Sequence, residues 1–205
     1  LCGATGSAKT RVLQALAAQA EQVLDLEAAA CHKGSLLGAL PGVPQPSQKA
    51  FETRIATVLE ALDLTRPLYV EGESARIGRL ALPLPLVERL RAAPCIELRA
   101  TPEARLAYLL RDYAYLGDDR ARLAAVLGQL KELQGRETVQ RWQQWAQDGA
   151  LAPLFTELMA LHYDPHYERS QSRHFRQWAR RQPVHAGALD DASIAALAQA
   201  VARMT

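Results

Sequence analysis

The sequence predicts an α/β fold in which helices flank a parallel β-sheet. Two short apolar runs, Leu68–Val70 and residues 95–98, have the length and composition of buried strands, and stretches with helical spacing of apolar residues alternate with them. Such alternation is typical of a parallel sheet, because parallel strands need long connections. The chain has 205 residues, of which 49% are hydrophobic, and this is enough for a sizeable core.

The first half of the chain contains two predicted helices, a strand and a long loop. Apolar residues on one face predict a helix over residues 11–22, and an apolar run that ends in acids predicts a buried strand over residues 23–26. Residues 28–48 are rich in Gly, Pro and Ser and predict a long loop, and loops of that length tend to be functional. Helical spacing returns over residues 51–64.

The second half has a mainly helical pattern. Thr101, Pro102 and Glu103 predict the start of a helix, because threonine is a good N-cap, proline fits the first turn and an acid faces the positive end of the dipole. Residues 111–161 are helical in pattern throughout, and residues 183–185 are predicted to form a last strand. The helical pattern breaks near Gly117, Gly135 and Gly149. A closing amphipathic helix is predicted from Ile194, Leu197, Val201 and Met204.

A phosphate-binding motif opens the chain. Residues 3–10 fit the P-loop pattern G-x-x-x-x-G-K-[ST] except at Ala8, which stands where the second glycine is expected. The chemistry requires inward-pointing backbone N–H groups, a helix N-terminus, a lysine for the phosphates and a hydroxyl for magnesium. Alanine is the smallest substitute, so we expect the loop to survive if the φ of Ala8 is negative. The predicted phosphate-binding residues are Gly3, Ala4, Thr5, Gly6, Ser7, Ala8, Lys9 and Thr10. The alternative is a glycine-rich turn that caps a helix and binds no ligand.

This motif defines the predicted domain organisation. We expect residues 1–205 to form one P-loop domain with a P-loop NTPase-like, kinase-like fold, in which residues 111–162 are a helical insertion or lid. A P-loop normally follows a buried strand, and only Leu1 and Cys2 precede this one. The first strand is therefore expected to be largely missing, and the chain to be a fragment.

Acidic residues at the ends of predicted strands are candidates for a magnesium site. Glu71 and Glu73 follow the strand Leu68–Val70, and Asp25 and Glu27 end the preceding strand. A P-loop site also needs a carboxylate that holds magnesium directly or through water. The predicted magnesium ligands are Thr10, Glu71 and Glu73. Acids at strand ends are also common as plain solvated residues.

Composition excludes several classes of protein. The net charge is only +2, so any nucleic-acid-binding surface must be local. The three cysteines, Cys2, Cys31 and Cys95, form no C-x-x-C pair and are odd in number, which argues against a disulfide scaffold or zinc finger and favours a reducing cytoplasm. No apolar run approaches the roughly 18 residues that span a bilayer, so we expect a cytoplasmic protein without a membrane segment.

Several segments after the P-loop resemble one family, the tRNA 2-selenouridine synthases, in the family's order and over most of the chain. The matching segments are Asp25-Leu26-Glu27, His32-Lys33-Gly34-Ser35 with Gly38, Gln45-Pro46-Ser47-Gln48 with Phe51-Glu52, Glu71-Gly72-Glu73-Ser74 with Arg76-Ile77-Gly78, and Tyr163-Asp164-Pro165 with Tyr167. These motifs are much more specific than the P-loop alone.

The resemblance implies a transferase that modifies tRNA. Members of the family carry an N-terminal rhodanese-like domain with an essential cysteine, followed by a P-loop domain. They replace the sulfur of wobble 2-thiouridine with selenium through an S-geranylated intermediate, with geranyl diphosphate and selenophosphate as small substrates. Two departures matter: Ala8 breaks the strict P-loop, and no rhodanese domain is present, so none of the three cysteines matches the catalytic one. We therefore expect the isolated chain not to complete the reaction.

The resemblance also implies a set of pocket residues. These are Asp25, Glu27, His32, Gly34, Ser35, Gln45, Ser47, Gln48, Glu52, Glu71, Glu73, Ser74, Arg76, Tyr163, Asp164 and Tyr167. His32 is the candidate catalytic group, because a histidine can contact phosphate or transfer a proton near neutral pH; the alternative is a surface histidine. The uncharged side chains Gln45, Ser47 and Gln48 suit ribose or base edges, or ordinary turn chemistry. Arg76 is suited to neutralising an anion or to solvation.

Residues 168–181 form a second candidate for function. Their arginines fall on one face of a predicted helix. A helix whose apolar face packs on the protein while its basic face projects into solvent would suit the tRNA backbone. The candidate tRNA-binding residues are Arg169, Arg173, Arg176 and Arg180. A solvated basic face is the alternative. His162 and His166 are not expected to bind zinc, because Pro165 makes a regular helix between them unfavourable.

Two other functions fit parts of the sequence. In a small-molecule or nucleotide kinase, Arg105 and Arg111 would act as lid arginines. A phosphate-binding module that binds RNA without chemistry of its own is the third possibility. The probable cofactor is Mg²⁺, and a nucleotide is a possible ligand of the P-loop. Beyond tRNA, the expected partner is the covalently linked rhodanese domain.

Overall fold

The computed structural model describes residues 1–72 and 74–205, which form a mixed α/β structure with short parallel sheets flanked by helices. The strands in these residues are β1 (Gln22–Leu24), β2 (Leu68–Val70), β3 (Arg76–Ile77), β4 (Leu80–Ala81), β5 (Ile96–Ala100) and β6 (Gln182–Ala186). The α-helices are α1 (Lys9–Ala18), α2 (Leu26–Ala30), α3 (Gln48–Glu60), α4 (Leu84–Ala92), α5 (Pro102–Asp112), α6 (Arg120–Gly128), α7 (Lys131–Gln134), α8 (Arg136–Asp148), α9 (Leu151–Glu157), α10 (Asp164–His174) and α11 (Asp191–Ala202).

The parallel strands lie in a fixed spatial order around the first two residues. Strand β1 pairs with β2 and β5 pairs with β6, both in parallel, whereas β3 and β4 form a small antiparallel hairpin. Leu1 and Cys2 lie between β2 and β5: the Gly72 amide donates to the Leu1 carbonyl (2.6 Å). On the other side the Cys2 amide donates to the carbonyl of Ile96, and the Leu98 amide donates to the carbonyl of Cys2 (both 2.8 Å). The order across the strands is therefore β1, β2, residues 1–2, β5 and β6.

Most predicted strands are confirmed. Strand β2 has the predicted bounds, and the predicted strand over residues 183–185 lies within β6. The run predicted over residues 95–98 forms β5, displaced towards the C-terminus by one or two residues. Because parallel strands are buried on both faces, an apolar run with acids or turn residues beside it was enough to locate them.

The strand predicted over residues 23–26 is partly wrong. Strand β1 ends at Leu24, and Asp25 instead caps helix α2, with its carboxylate accepting a hydrogen bond from the Ala28 amide (2.8 Å). The acid after the apolar run is thus a helix start signal, which stabilises the first turn by about 1 kcal/mol. Helix α2 also includes the first residues of the region predicted to be a loop. The loop itself therefore runs from residue 31 to residue 47.

The helices at the two ends of the chain are present as predicted, but the bounds of the first are shifted. Helix α1 begins at Lys9, two residues earlier than predicted, and ends at Ala18, four residues earlier, and the closing helix α11 buries Ile194, Leu197 and Val201. These two helices pack on each other and on the strands through one apolar cluster, which includes Leu13 and Leu16 of α1. Thr101 caps α5 as predicted and accepts a hydrogen bond from the Ala104 amide.

The helices between residues 114 and 163 share a second apolar cluster. Trp142 is fully buried at its centre, and its indole Nε1 donates to Glu157 (2.9 Å). The predicted breaks are confirmed: Gly135 and Gly149 have positive φ between helices, and Gly117 ends a short 3₁₀ turn. The assignment of residues 111–162 as an insertion within one domain stays a prediction.

The structure corrects two expectations about residues 158–181. Pro165 does not interrupt the helix. Helix α9 continues through a π-helical turn, Leu158–Tyr163, into α10, and a proline in the first turn of a helix costs no hydrogen bond. Helix α10 then ends at His174, and the next residue, Phe175, has an extended backbone. Residues 168–181 are therefore not one helix. Among the described residues, no helix is long and apolar enough to cross a membrane.

Candidate functional site

The glycine-rich loop connects the central pair of residues, Leu1 and Cys2, to helix α1. Gly6 has φ of +83°, and a Cβ there would lie 3.0 Å from Leu109, so only glycine fits the turn against α5. Ala8 has φ of +60° and ψ of +28°, which is the left-handed region. The condition set for the loop, a negative φ at Ala8, is not met, yet the loop keeps the conformation that suits glycine, although Ala8 lacks glycine's freedom.

Lys9 lies across the mouth of this loop. Its Nζ donates to the carbonyl of Gly3 (2.8 Å), which places the ammonium group beside the loop rather than in solvent. Lys9 is also the first residue of α1, so the positive end of the helix dipole and the ammonium charge act on the same space. This arrangement favours an anion in the loop.

Two carboxylates meet the hydroxyl that follows Lys9. The Thr10 hydroxyl donates to Glu27 (2.8 Å), and its oxygen lies 3.5 Å from Glu71. Glu71 is fully buried, and its other oxygen accepts the backbone N–H of Glu27 (2.8 Å). Glu71 therefore fixes both Thr10 and Glu27, and Glu27 is the acid of the preceding strand end that meets Thr10. Glu73 lies outside the described residues.

The oxygen atoms at this point fit magnesium. Mg²⁺ usually takes one or two carboxylates together with phosphate oxygens and water, and Thr10 with Glu27 and Glu71 offers a hydroxyl and two carboxylates. In the described part of the chain, no cluster of three or more His, Cys, Asp or Glu side chains is arranged to hold a metal. Such a cluster would be typical of a structural metal site, whereas the donors present suit a metal that arrives with a phosphate.

A cavity of about 560 Å³ opens in front of the loop. One wall is the loop itself with Thr10 and Glu27, a second is formed by residues 31–35, and a third by α5 and α10. The third wall combines the aromatic and apolar side chains of Tyr108, Leu109, Tyr113, Tyr163 and Tyr167 with the polar side chains of Asp112, His166, Ser170 and Gln171. Burial raises the pKa of Tyr163 to about 12 and that of Tyr108 to values above the usual range.

His32 lies in the second wall of the cavity and is not a surface histidine. Only 9% of the residue is exposed, and its Nδ1 has no hydrogen-bond partner among the residues that the structure describes. Its backbone pairs with Ala39 across the loop. Burial lowers the pKa of His32, so the imidazole is neutral at pH 7 and able to accept a proton.

The two arginines considered for a kinase lid have other roles. Arg105 is buried; its Nε donates to the carbonyl of Thr5 (2.8 Å), and its Nη atoms donate to both oxygens of Asp164 (3.0 and 2.6 Å). Arg111 donates to the carbonyl of Leu189 (2.8 Å). Both guanidinium groups are therefore committed to the protein, and the lid role expected for them is not supported by their positions.

Comparison with known proteins identifies the family. The model for the tRNA 2-selenouridine synthase AAA domain matches residues 1–148. The chain belongs to this family. Proteins named tRNA 2-selenouridine synthase from Alcanivorax borkumensis and Aeromonas salmonicida are each 32% identical to it, over 84% and 82% of this chain and 54% and 51% of their own lengths. The protein of that name from Marinobacter nauticus is 41% identical over 55% of this chain and 30% of its own length. No solved structure matches.

This selenouridine synthase AAA domain spans about half the length of the relatives that match most of it. The fold brings some of the motif residues that carried the resemblance together at the cavity, but not all of them. Those that line the cavity are Asp25, Glu27, His32, Gly34, Ser35, Ser74, Tyr163 and Tyr167. Asp25 serves chiefly as the cap of α2. Glu71 and Asp164 stand behind the lining residues and hold Thr10 and Arg105 in place.

Other motif residues of the synthase domain hold its backbone together instead. Gln45 donates to the carbonyl of Ile77 (3.0 Å) and accepts from the Arg79 amide (2.9 Å). Gln48 donates to Glu52 and exchanges two hydrogen bonds with the backbone of Ala81. These contacts attach the start of α3 to the β3–β4 hairpin. The predicted role of these amides at ribose or base edges is therefore replaced by a structural one.

Two further motif residues also lie away from the cavity of the synthase domain. Ser47 caps α3, with its hydroxyl accepting from the Ala50 amide (3.2 Å). Arg76 is exposed on the hairpin strand β3 and does not line the cavity. A polar residue in a loop thus has two equally good explanations in sequence, and the hydrogen bonds decide between them.

The four arginines proposed for tRNA are exposed but belong to different elements. Arg169 and Arg173 lie on α10, whereas Arg176 follows its end and Arg180 lies in a 3₁₀ turn. The Arg176 amide donates to the carbonyl of Arg91 (2.8 Å), which attaches this segment to the end of α4. The single basic helix face predicted from spacing is therefore wrong, because the helix ends at His174.

Proposed function

We propose that this chain is the phosphate-binding domain of an enzyme that converts wobble 2-thiouridine of tRNA to 2-selenouridine through an S-geranylated intermediate. The observation that carries the proposal is the loop over residues 3–10, with Lys9 across its mouth and Thr10, Glu27 and Glu71 beside it. Family membership supports a role in tRNA modification. The strand order supports a P-loop NTPase-like, kinase-like fold, since the phosphate loop leaves the central position of the sheet.

The loop is proposed to bind the diphosphate of geranyl diphosphate during alkylation. The sulfur of 2-thiouridine attacks the first carbon of the geranyl group, the carbon–oxygen bond breaks, and its electron pair leaves with the diphosphate. Backbone N–H groups and Lys9 neutralise the charge that develops on the leaving group. Thr10 and Glu27 would hold Mg²⁺, which supplies further positive charge to the diphosphate when bound.

His32 is proposed to accept the proton that the thiouridine ring loses when its sulfur is alkylated. Burial keeps the imidazole neutral, and it lies in the wall of the cavity that contains the phosphate loop. A group whose pKa lies near or below the working pH is a suitable base. Replacing His32 with Asn should lower the rate of geranylation without weakening diphosphate binding.

The apolar wall suits the hydrocarbon part of the same substrate. Leu109 packs directly on Gly6 of the phosphate loop, and Tyr113 and Tyr163 continue the wall away from it. A ligand whose diphosphate lies in the loop would therefore place its next atoms on apolar side chains. Each buried CH₂ group contributes about 0.8 kcal/mol, so the wall would favour a prenyl diphosphate over inorganic diphosphate.

The exchange of sulfur for selenium is proposed to require protein outside this chain. The relatives are about twice as long as their matched parts, and the resemblance implies a linked rhodanese-like domain with the essential cysteine and selenophosphate as the selenium donor. Cys31 lines the cavity, whereas Cys2 and Cys95 are buried in an apolar cluster with Phe175 and Trp178. Cys2 and Cys95 are packed as core side chains rather than presented to the cavity.

The Lys9→Ala variant tests the proposal in the full-length protein. Geranyl transfer to tRNA that carries 2-thiouridine should fall at least tenfold, because a charge-assisted contact to the leaving group is lost. Lys49→Ala is the matched control, since Lys49 is an exposed lysine of α3 that does not line the cavity. An unchanged rate for Lys9→Ala would refute the role of the loop. ATP turnover with a small acceptor and without RNA would instead establish a kinase, and tight tRNA binding without transfer would establish a binding module.

A further inference from the structure

Helix α10 presents one row of side chains to the phosphate site. Asp164, Tyr167 and Gln171 are three and four residues apart and therefore lie on one face of the helix. Tyr167 and Gln171 line the cavity, and Gln171 is buried beside Gly72, which follows Glu71. Asp164 does not line the cavity but binds Arg105 behind the loop. The helix thus contributes both to the lining of the cavity and to the support behind the loop.

Arg105 links this helix face to the backbone of the phosphate loop. Its guanidinium group is 9% exposed and makes three hydrogen bonds, one to the carbonyl of Thr5 and two to the carboxylate of Asp164. The guanidinium group is planar and its N–H groups have fixed directions. The position of Asp164 therefore determines where Arg105 directs its Nε–H, and hence where the Thr5 carbonyl points.

The direction of that carbonyl determines the direction of the next amide. In a planar trans peptide bond, the C=O of one residue and the N–H of the following residue point in opposite directions. Because the Thr5 carbonyl points towards Arg105, the N–H of Gly6 points away from Arg105. Gly6 is one of the loop residues that line the cavity, so this amide is available to an anion there.

We propose that Arg105 and Asp164 are positioning residues that orient the Gly6 amide for phosphate binding. The inference rests on the proposed function, since it requires that an anion occupies the loop. Neither side chain contacts the anion; both act through the peptide unit between Thr5 and Gly6. A merely structural ion pair between α5 and α10 would stabilise the fold without affecting the affinity of the loop for phosphate.

The test compares diphosphate affinity with fold stability in the full-length protein. Arg105→Lys cannot bind Thr5 and both oxygens of Asp164 at once, because an ammonium group lacks the fork of a guanidinium group. Asp164→Asn keeps the size of the side chain and one acceptor, and it serves as the second variant if Arg105→Lys does not fold. The probe is inorganic diphosphate in the presence of Mg²⁺, measured by calorimetry. Thermal unfolding and tRNA affinity are measured on the same samples.

We expect each variant to bind diphosphate about tenfold more weakly, the equivalent of one charge-assisted hydrogen bond, with tRNA affinity unchanged. The double variant should lose little more than either single variant, because both act on one peptide unit. Arg141→Lys is the matched control: Arg141 pairs with Glu157 at 2.7 Å but lies in the helical cluster away from the loop. Its diphosphate affinity should equal that of the wild type.

Three results would overturn the inference, and they are distinguishable. If the wild type binds diphosphate and the variants bind it equally well, Arg105 and Asp164 are structural, even where their melting temperature falls. If the wild type itself binds no diphosphate, the proposed function fails and the positioning role fails with it. Weakened binding of tRNA and diphosphate alike would also contradict the inference, because it would indicate general loss of structure.

Discussion

At the scale of single residues, the phosphate loop combines a required conformation with a residue that does not favour it. Ala8 adopts a left-handed conformation and is buried, and an L-residue with a Cβ is strained there by about 1 kcal/mol or more. From the sequence we expected the loop to survive if the φ of Ala8 were negative. The structure has a positive φ at Ala8 and keeps the loop, which is held by Lys9, by Gly6 and by the packing of Leu109.

The Ala8→Gly variant should therefore be more stable than the wild type. Relief of the left-handed strain exceeds the larger entropy of glycine in the unfolded chain, which gives a gain of up to about 1 kcal/mol. Ala4→Gly is the matched control, since Ala4 lies in the same loop without a positive φ and should become less stable. The measurement is the free energy of unfolding from denaturant titration. A loss of stability for Ala8→Gly would show that the packing of its methyl group outweighs the strain.

His32 should make stability depend on acidity. Burial lowers its pKa in the folded protein below the usual value of about 6.5, so the folded state binds fewer protons than the unfolded state. The stabilisation is present above about pH 6.5 and is lost as the pH falls through the folded-state pKa. The His32→Asn variant should lose this part of the dependence, measured as the difference in unfolding free energy between about pH 7.5 and pH 5. An equal pH dependence in variant and wild type would contradict it.

At the scale of secondary-structure elements, the predictions were wrong mainly at the points where helices begin and end. Asp25 caps α2 where the sequence suggested the end of a strand, and α10 ends at His174 where spacing suggested a longer helix. Helix α10 nevertheless has two distinct faces: one binds Arg105 behind the glycine-rich loop, and the other exposes Arg169 and Arg173. A tRNA that binds the outer face would therefore lie close to the phosphate loop.

Charge reversal tests whether these arginines bind tRNA. Arg173→Glu and Arg176→Glu should each weaken tRNA binding at low salt and reduce the salt dependence of the affinity, because each removes a phosphate contact. Because Arg176 lies outside the helix, the two effects are expected to differ. Arg141→Glu, an exposed arginine of α8, is the control. Identical affinities for wild type and both variants, measured by filter binding, would exclude this surface from the interface.

At the scale of the whole molecule, the cavity is assembled from segments that are far apart in the chain. Its walls come from the loop after Cys2, from residues 31–35, from α5 and from α10. The buried Glu71 and Arg105 stand behind two of these walls and connect them to the loop. A ligand that contacts several of these walls at once should therefore stabilise the whole folded state.

Diphosphate with Mg²⁺ should raise the melting temperature. At a ligand concentration of 100 times Kd, binding contributes about 2.7 kcal/mol, which for a domain of this size corresponds to a shift of about 5 to 10 °C. The shift should be absent in Lys9→Ala and should be reduced when EDTA replaces Mg²⁺. Differential scanning calorimetry measures it. A shift of the same size in Lys9→Ala would place the binding site elsewhere.

The sequence by itself determined the α/β class, the parallel strands, the phosphate loop and the family, because each depends on local patterns of apolar residues, glycines and charges. Only the tertiary structure decided which polar residues serve the site. Gln45 and Gln48 bind backbone, Glu27 joins Thr10, and Arg105 supports the loop from 100 residues away in the chain. The physical reason is that a polar side chain is assigned its role by the partner that the fold brings to it, and that partner is not its neighbour in sequence.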